Sequence, residues 1–325
     1  MGGVQDVRHL RILIVTPARR GSHAGNRVTA LRWAAQLRAL GHRVAVRDAW
    51  NGDDCDVLVA VHATKSHPSV ALYRERHPDA PLVVALAGTD LYQDLPSSPV
   101  TRRSLELATR LTVLQPLGIA ALPPEVRAKA RAIIQSARAA SPVPSPPGVF
   151  QVCLLAHIRA VKDAFLAAEA VRGLPDRSRV RVVHLGAALD AGADAQARQE
   201  MAANPRYRWL GPRRRREALA TLAGSTLLVV TSRSEGGSNA LSEALAAGVP
   251  VLSTRIDGSM GILGRGHPGL FPAGDAGALA VLLLRVETDP DFLAVLRAAS
   301  ERLRPLVDPA REREAWRGLL AELEV

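Results

Sequence analysis

The chain is short of cysteine, aromatics and long apolar runs, and each shortage removes a class of protein. Its two cysteines, Cys55 and Cys153, stand far apart without metal-ligand spacing, so neither a disulfide framework nor a zinc site is expected. Cys153 lies in the strand-like VFQVCLLA and reads as a small buried hydrophobe. An aromatic content of 3% offers no stacking platform for single-stranded nucleic acid. No apolar run is long enough for a membrane-spanning helix, and the opening MGGVQDVRHL lacks the apolar core of a signal peptide. Asp6 stands where a myristoylation signal needs Ser or Thr. A cytoplasmic location without stable membrane insertion is the expectation. The first strand-loop-helix unit, residues 10–41, lacks G-x-G-x-x-G and so carries no nicotinamide or flavin fingerprint.

What is present is enough for two domains. At 325 residues the chain exceeds one ordinary core, and 47% hydrophobic residues exclude disorder. The net charge of +11 admits nucleic acid, an anionic membrane or a small polyanionic substrate as partner. Its densest run, Arg213 to Arg216, follows Gly211-Pro212 and precedes a helix pattern, so it reads as a solvated helix-start face. A phosphate-rich small substrate is then the simpler partner, and nucleic acid is not expected.

Strand and helix patterns alternate along the whole chain. LRILIVT (10–16) leads through a loop with Gly21, Gly25 and Asn26 into an amphipathic helix with Leu31, Ala34, Ala35 and Leu37 on its apolar face, ended by Gly41. RVAVRD (43–48), CDVLVAVH (55–62) and PLVVALAGTDLYQD (81–94) supply further strands. His62, Lys65, Thr89 and Asp90 fall on the loops after them, where α/β sheets carry function. Lys65 suits an anionic ligand. His62 serves equally as a packing or capping residue, and Arg27 equally as a solvated first-turn base. The proline-rich AASPVPSPPGVF (139–150) reads as a linker. The expected division is an N-terminal domain 1–140, linker 141–149, a C-terminal domain 150–305 and a final helix 306–325, with Trp316 as its anchor.

In the second half, VFQVCLLAHIRAVKD places Arg159 and Lys162 on a loop after a strand that ends near Ala156. Two cations there fit a pyrophosphate clamp, against the alternative of ordinary helix-surface bases. Gly186 and Gly211 each close a strand. The stretch 227–253, LLVVTSRSEGGSNALSEALAAGVPVLS, reads as strand, loop, helix, strand, with the helix starting near Ser238 or Asn239 and ending at Gly248. Glu235 falls on the strand-end loop, Gly236 and Gly237 admit close approach to the backbone, and the helix start offers N–H groups to an anion. Glu243 lies just over one turn into the helix, either as a dipole-stabilising acid or as a ligand contact.

Glu235 and Glu243, with seven residues and two glycines between them, resemble the E-x7-E signature of the retaining nucleotide-sugar glycosyltransferases of family four. The resemblance implies the α/β GT-B fold, two Rossmann-like domains with a cleft between them, and a C-terminal helix that returns to the first domain. It implies that Glu235 contacts donor-sugar hydroxyls and acts in catalysis with Arg159 and Lys162. Glu243 is then on the nucleotide ribose, and Gly25, Gly186, Gly211, Gly236, Gly237, Ser238 and Asn239 line the donor site. The phrases GNRVTALRWAAQLRALGHRV, VLVAVHATKS, ALAGTDLYQD and HIRAVKD resemble the selenosugar synthase branch of selenoneine biosynthesis. That branch implies UDP-glucose or UDP-N-acetylglucosamine as donor and selenophosphate as acceptor, with Asn26, Arg27, His62, Lys65, Thr89 and Asp90 on the acceptor side. No cofactor or metal is expected, because two cations can neutralise the leaving diphosphate. Ser238 and Asn239 depart from many relatives and leave the donor sugar open. Two other readings stand beside this one: transfer to a hydroxyl acceptor, small or lipid-linked, and a non-catalytic polyanion-binding protein built on Arg213 to Arg216.

Overall fold

The computed structural model describes residues 9–18, 21 and 25–323, so the readings made on the first eight residues, Asp6 included, lie outside the described residues. Two compact units emerge, one of Met1–Gln135 with Pro309–Val325 and one of Ser136–Asp308.

The first unit runs β1 (Arg11–Val15), α1 (Gly25–Ala39), β2 (Arg43–Arg47), β3 (Val57–Val61), α2 (His67–Arg76), β4 (Leu82–Ala85), α3 (Pro99–Leu107), β5 (Arg110–Val113), α4 (Leu117–Ala120) and β6 (Ala130–Ala132). Its strands pair in parallel in the order β2-β1-β3-β4-β5-β6. Parallel strands are covered on both faces, so they read as continuous apolar runs. β3, VLVAV, is buried throughout: Val57, Val59 and Val61 join the core around Trp33, while Leu58 and Ala60 join the one around Tyr73. That split follows from the two-residue period of a strand.

The buried face of α1 is Ala30, Trp33, Ala34 and Leu37, which corrects the expected set: Leu31 is half exposed and Ala35 faces out. Both sets follow helical spacing, and the indole of Trp33 decides between them because it carries the most apolar area to bury. α2 and a π-helical turn over Asp90–Asp94 were not legible in the sequence. α2 is short, opens on His67-Pro68 and lacks an apolar stripe, so its period is weak.

The second unit runs β7 (Phe150–Leu155), α5 (Phe165–Arg172), β8 (Val180–Leu185), α6 (Ala193–Ala203), β9 (Tyr207–Trp209), α7 (Arg215–Ala223), β10 (Leu227–Val230), α8 (Asn239–Ala247), β11 (Val251–Thr254), α9 (Asp257–Leu263), β12 (Leu270–Phe271), α10 (Ala276–Thr288) and α11 (Pro290–Leu303). Its parallel sheet has the order β12-β11-β10-β7-β8-β9, the doubly wound arrangement in which direction reverses between β7 and β10. The proline-rich segment lies on this unit. Val143 donates its N–H to the Ala220 carbonyl at 3.0 Å. Gly224 must be glycine, since a Cβ there would sit 1.8 Å from the Val143 carbonyl oxygen.

The last helix, α12 (Pro309–Ala321), packs on α1 within the first unit. Trp316 is fully buried edge-to-face on Trp33, with ring centroids 5.0 Å apart. Glu312, also buried, accepts from Trp33 Nε1 at 2.9 Å and Arg32 Nε at 3.1 Å. A buried carboxylate held by two donors fixes which face of α12 meets α1.

Candidate functional site

In a doubly wound sheet the loops at the reversal point splay apart and leave a crevice. In the second unit those are the loops after β7 and β10, and they carry Arg159, Lys162 and Glu235. Three hydrogen bonds latch them together or anchor them to the sheet: Arg233 N–H to the Val161 carbonyl at 2.9 Å, Thr231 Oγ1 to the Lys162 carbonyl at 2.8 Å, and Thr254 Oγ1 to the Ser232 carbonyl at 2.6 Å. On that frame the Lys162 ammonium meets Glu235 Oε1, which also accepts from Ser232 Oγ at 2.7 Å. Both side chains line a shallow open recess between the ends of β7 and β10, along with Ala156, Thr231 and Ser238.

Arg159 stands exposed just before the short 3₁₀ turn Ala160–Lys162. Asp163 closes the turn with a left-handed φ of 46° and pairs through Oδ2 with Arg233 Nε at 2.9 Å. Glu235 is pressed from behind by α9. A Cβ on Gly258 would come within 2.2 Å of the Glu235 carbonyl oxygen, so Gly258 sets the position of this loop although nothing in its sequence context singled it out.

Gly236 and Gly237 are buried, and Ser238 caps α8 in an extended conformation without a side-chain cap bond. Asn239 begins the helix and Gly248 ends it with φ 71°, as the sequence indicates. Glu243 is 5% exposed and forms an ion pair with Arg215, Oε1 to Nη2, at 2.6 Å. This corrects the reading of the arginine run as a wholly solvated face. Arg215 reaches from the first turn of α7 across to α8, while Arg213, Arg214 and Arg216 are exposed. The run identified the region, but four identical side chains in a row do not say which one faces an acid.

Gly186 passes close to the β7 loop: a Cβ there would lie 1.7 Å from the Ala156 carbonyl oxygen. Gly211 accepts the Gly186 N–H at 3.0 Å and faces open space. Behind them His184 is fully buried, with Nε2 on the Ala156 carbonyl at 2.9 Å and Nδ1 on the Tyr207 hydroxyl at 2.6 Å. Nε2 therefore carries the proton and Nδ1 accepts. Burial drives this imidazole down to about 4, so it stays neutral while it holds the base of the Arg159–Lys162 loop.

In the first unit the order reverses between β1 and β3, and the loop after β3 carries His62 and Lys65. His62, 2% exposed, adopts φ 77° and meets Thr89 Oγ1 through Nε2 at 3.0 Å. Burial lowers its proton affinity, more than Asp90 raises it. Asp90 is fully buried and accepts four backbone N–H groups: Ala63 on Oδ2 at 2.8 Å, and Ala87, Gly88 and Leu91 on Oδ1 at 2.9, 2.8 and 3.1 Å. In the structure it shapes two loops of the first unit through these amides. Lys65 is exposed beside this network. Gly25 is exposed and Asn26 half-buried at the start of α1, whereas Arg27 is 7% exposed and pairs with Asp48 at 3.3 Å.

Two Asp-x-Asp triplets are committed elsewhere. Asp54 and Asp56 grip Arg11, and Asp289 caps α11 through the Phe292 N–H at 2.9 Å. Among the described residues no three His, Cys, Asp or Glu side chains converge as a metal would require. No helix among them is long and apolar enough to cross a membrane.

Residues 149–289 match the family model of glycosyl transferases group 1. Solved structures share the fold over nearly the whole chain. HepE of Anabaena, in complex with UDP and glucose, superposes with a TM-score of 0.76 at 16% identity over 97% of this chain and 100% of its own. Sucrose-phosphate synthase of Thermosynechococcus elongatus gives 0.77 at 16% identity over 96% and 98%. An E. coli trehalose-6-phosphate protein bound with UDP-2-fluoro glucose gives 0.71 at 14% identity over 96% and 98%. The chain thus has the GT-B fold, two parallel-sheet α/β units.

Proposed function

We propose that this chain, whose residues 149–289 match the model of group 1 glycosyl transferases, transfers the sugar of a UDP-sugar to selenophosphate and so makes a selenosugar in selenoneine biosynthesis. The single observation that carries the donor half is the meeting of Lys162 and Glu235 at the reversal point of the second sheet, with buried Glu243 one helix turn beyond. The charges suit the parts of such a donor. Lys162 and exposed Arg159 neutralise the diphosphate as it leaves, with help from the N–H groups at the start of α8. Glu235 turns to hydroxyls of the sugar once the diphosphate draws Lys162 away. Glu243 takes the ribose. UDP complexes of HepE and of the E. coli protein support a UDP-sugar donor, UDP-glucose or UDP-N-acetylglucosamine.

During transfer the bond from the anomeric carbon to the diphosphate oxygen breaks and a carbon–selenium bond forms, with UDP carrying off the electron pair. A selenophosphate nucleophile is already anionic, so attack needs no protein base. On the acceptor side Lys65 meets its phosphoryl charge, with Asn26 at the start of α1 and His62 and Thr89 on strand-end loops of the first unit as polar neighbours. Arg27, held by Asp48, gives its charge from behind.

The test is purified protein with either UDP-sugar and selenophosphate, read by mass spectrometry. A selenium-containing sugar formed together with UDP is the expected outcome. UDP release without selenium incorporation, restored by a hydroxyl or sugar-phosphate acceptor, would select the alternative that the sucrose-phosphate synthase likeness favours.

A further inference from the structure

We propose that Arg215 is a positioning residue for the nucleotide: its guanidinium aims the Glu243 carboxylate at the ribose hydroxyls and offsets its charge against the diphosphate. This rests on the reading of Glu243 as the ribose contact.

A carboxylate buried to the depth of Glu243, followed by the buried Ala244, Leu245 and Ala246, is costly unless a cation accompanies it. Arg215 supplies one. It stands on the first turn of α7, against α8, with Nη2 at 2.6 Å from Glu243 Oε1, and its side chain is 48% exposed. Of the four-arginine run, Arg215 alone forms an ion pair among the described residues.

Two consequences follow for a ligand. Arg215 sets its charge 2.6 Å from Oε1 and so biases which way the carboxylate faces. The pair as a whole is also neutral, and a nucleoside diphosphate then approaches without repulsion from a bare buried anion. Cys153, on β7 behind α8, brings no competing charge: burial first, and the Glu243 carboxylate second, push its thiol up to about 12.

The experiment is calorimetric titration of the full chain with UDP and with 2′-deoxy-UDP, with folding of each variant checked by circular dichroism. Wild type is expected to prefer UDP about tenfold, the scale of one charge-assisted hydrogen bond. Glu243→Gln and Arg215→Ala should each weaken UDP binding by about tenfold or more and bring the preference close to one. The double variant should bind no worse than either single one, because the two residues act as a unit. Arg215→Lys, which keeps the charge, should recover part of the preference and carries the test if Arg215→Ala fails to fold. Arg216→Ala should leave both affinities unchanged. If wild type binds both ligands alike, the ribose reading falls and this proposal with it. If wild type and Glu243→Gln behave as expected but Arg215→Ala keeps the preference for UDP, the proposal alone falls.

Discussion

The loop that leaves β3 and the loops that leave β7 and β10 stand at equivalent places, the reversal point of their own sheet, yet their polar groups are used differently. In the first unit they are spent on the protein's own amides and side chains. Asp90 takes four amides, and Thr64 Oγ1 meets Asp94 at 2.6 Å and Thr101 at 2.8 Å, which leaves Lys65 exposed at the rim. In the second unit the backbone is latched by only a few bonds and the charged tips Lys162 and Glu235 face one another, while beside them Arg215 of α7 pairs with Glu243 of α8. A loop held through its amides is complete without a ligand. A loop held by opposed charges contains groups that a charged, hydroxyl-rich ligand can take over one by one.

The sharpest break of this contrast is Asp90→Ala. Leaving four amides, three of them buried, without their acceptor should destabilise the protein by roughly 3–5 kcal/mol, read as a fall in the denaturant midpoint, while UDP affinity stays near wild type. Unchanged stability with a raised acceptor KM would return Asp90 to the acceptor.

Lys162→Ala should behave in the opposite way. The Lys162–Glu235 pair is partly exposed and contributes little to stability, but loss of a cation aimed at the leaving diphosphate should lower kcat by roughly 10²–10³-fold. A variant that loses its folded state but keeps its turnover per folded molecule would reverse the assignment.

Acid should reach the second unit through a group that no ligand touches. His184 is neutral when folded, at about 4 against 6.5 when free, so the unfolded chain binds its proton first as pH falls. Stability is complete above about pH 6.5 and declines towards pH 4, by up to about 3 kcal/mol from this residue. His267, also brought to about 4 by burial, adds in the same direction. Chemical denaturation at stepped pH should show the acid slope, and His184→Gln should flatten it.

The smallest expected effect sharpens the acceptor side. Lys65→Ala, at an exposed position, should raise the KM for selenophosphate by about tenfold, with UDP affinity and stability both unmoved. If donor-varied and acceptor-varied titrations both match wild type, the first unit's loop holds no acceptor at Lys65.

The sequence by itself determined most of the alternation of strands and helices and the loops after β7 and β10, because these depend on local signals. A β-branched run such as VLVAV can only be a buried strand here, Gly248 can only end a helix, and Glu235 and Glu243 come with their glycines in one unbroken stretch. Tertiary structure decided what depends on partners distant in sequence. Leu31 was read on the apolar face of α1, and burial of Trp33 against Trp316 on the last helix turned a neighbouring face inward instead. Asp90 read as a free strand-end acid until the amides of Ala63, Ala87, Gly88 and Leu91 converged on it. The run Arg213 to Arg216 announced positive charge in every direction, and only the packing of α7 beside α8 picked Arg215 to meet a buried carboxylate. Local pattern sets where a side chain begins; desolvation of the groups it meets sets what it does.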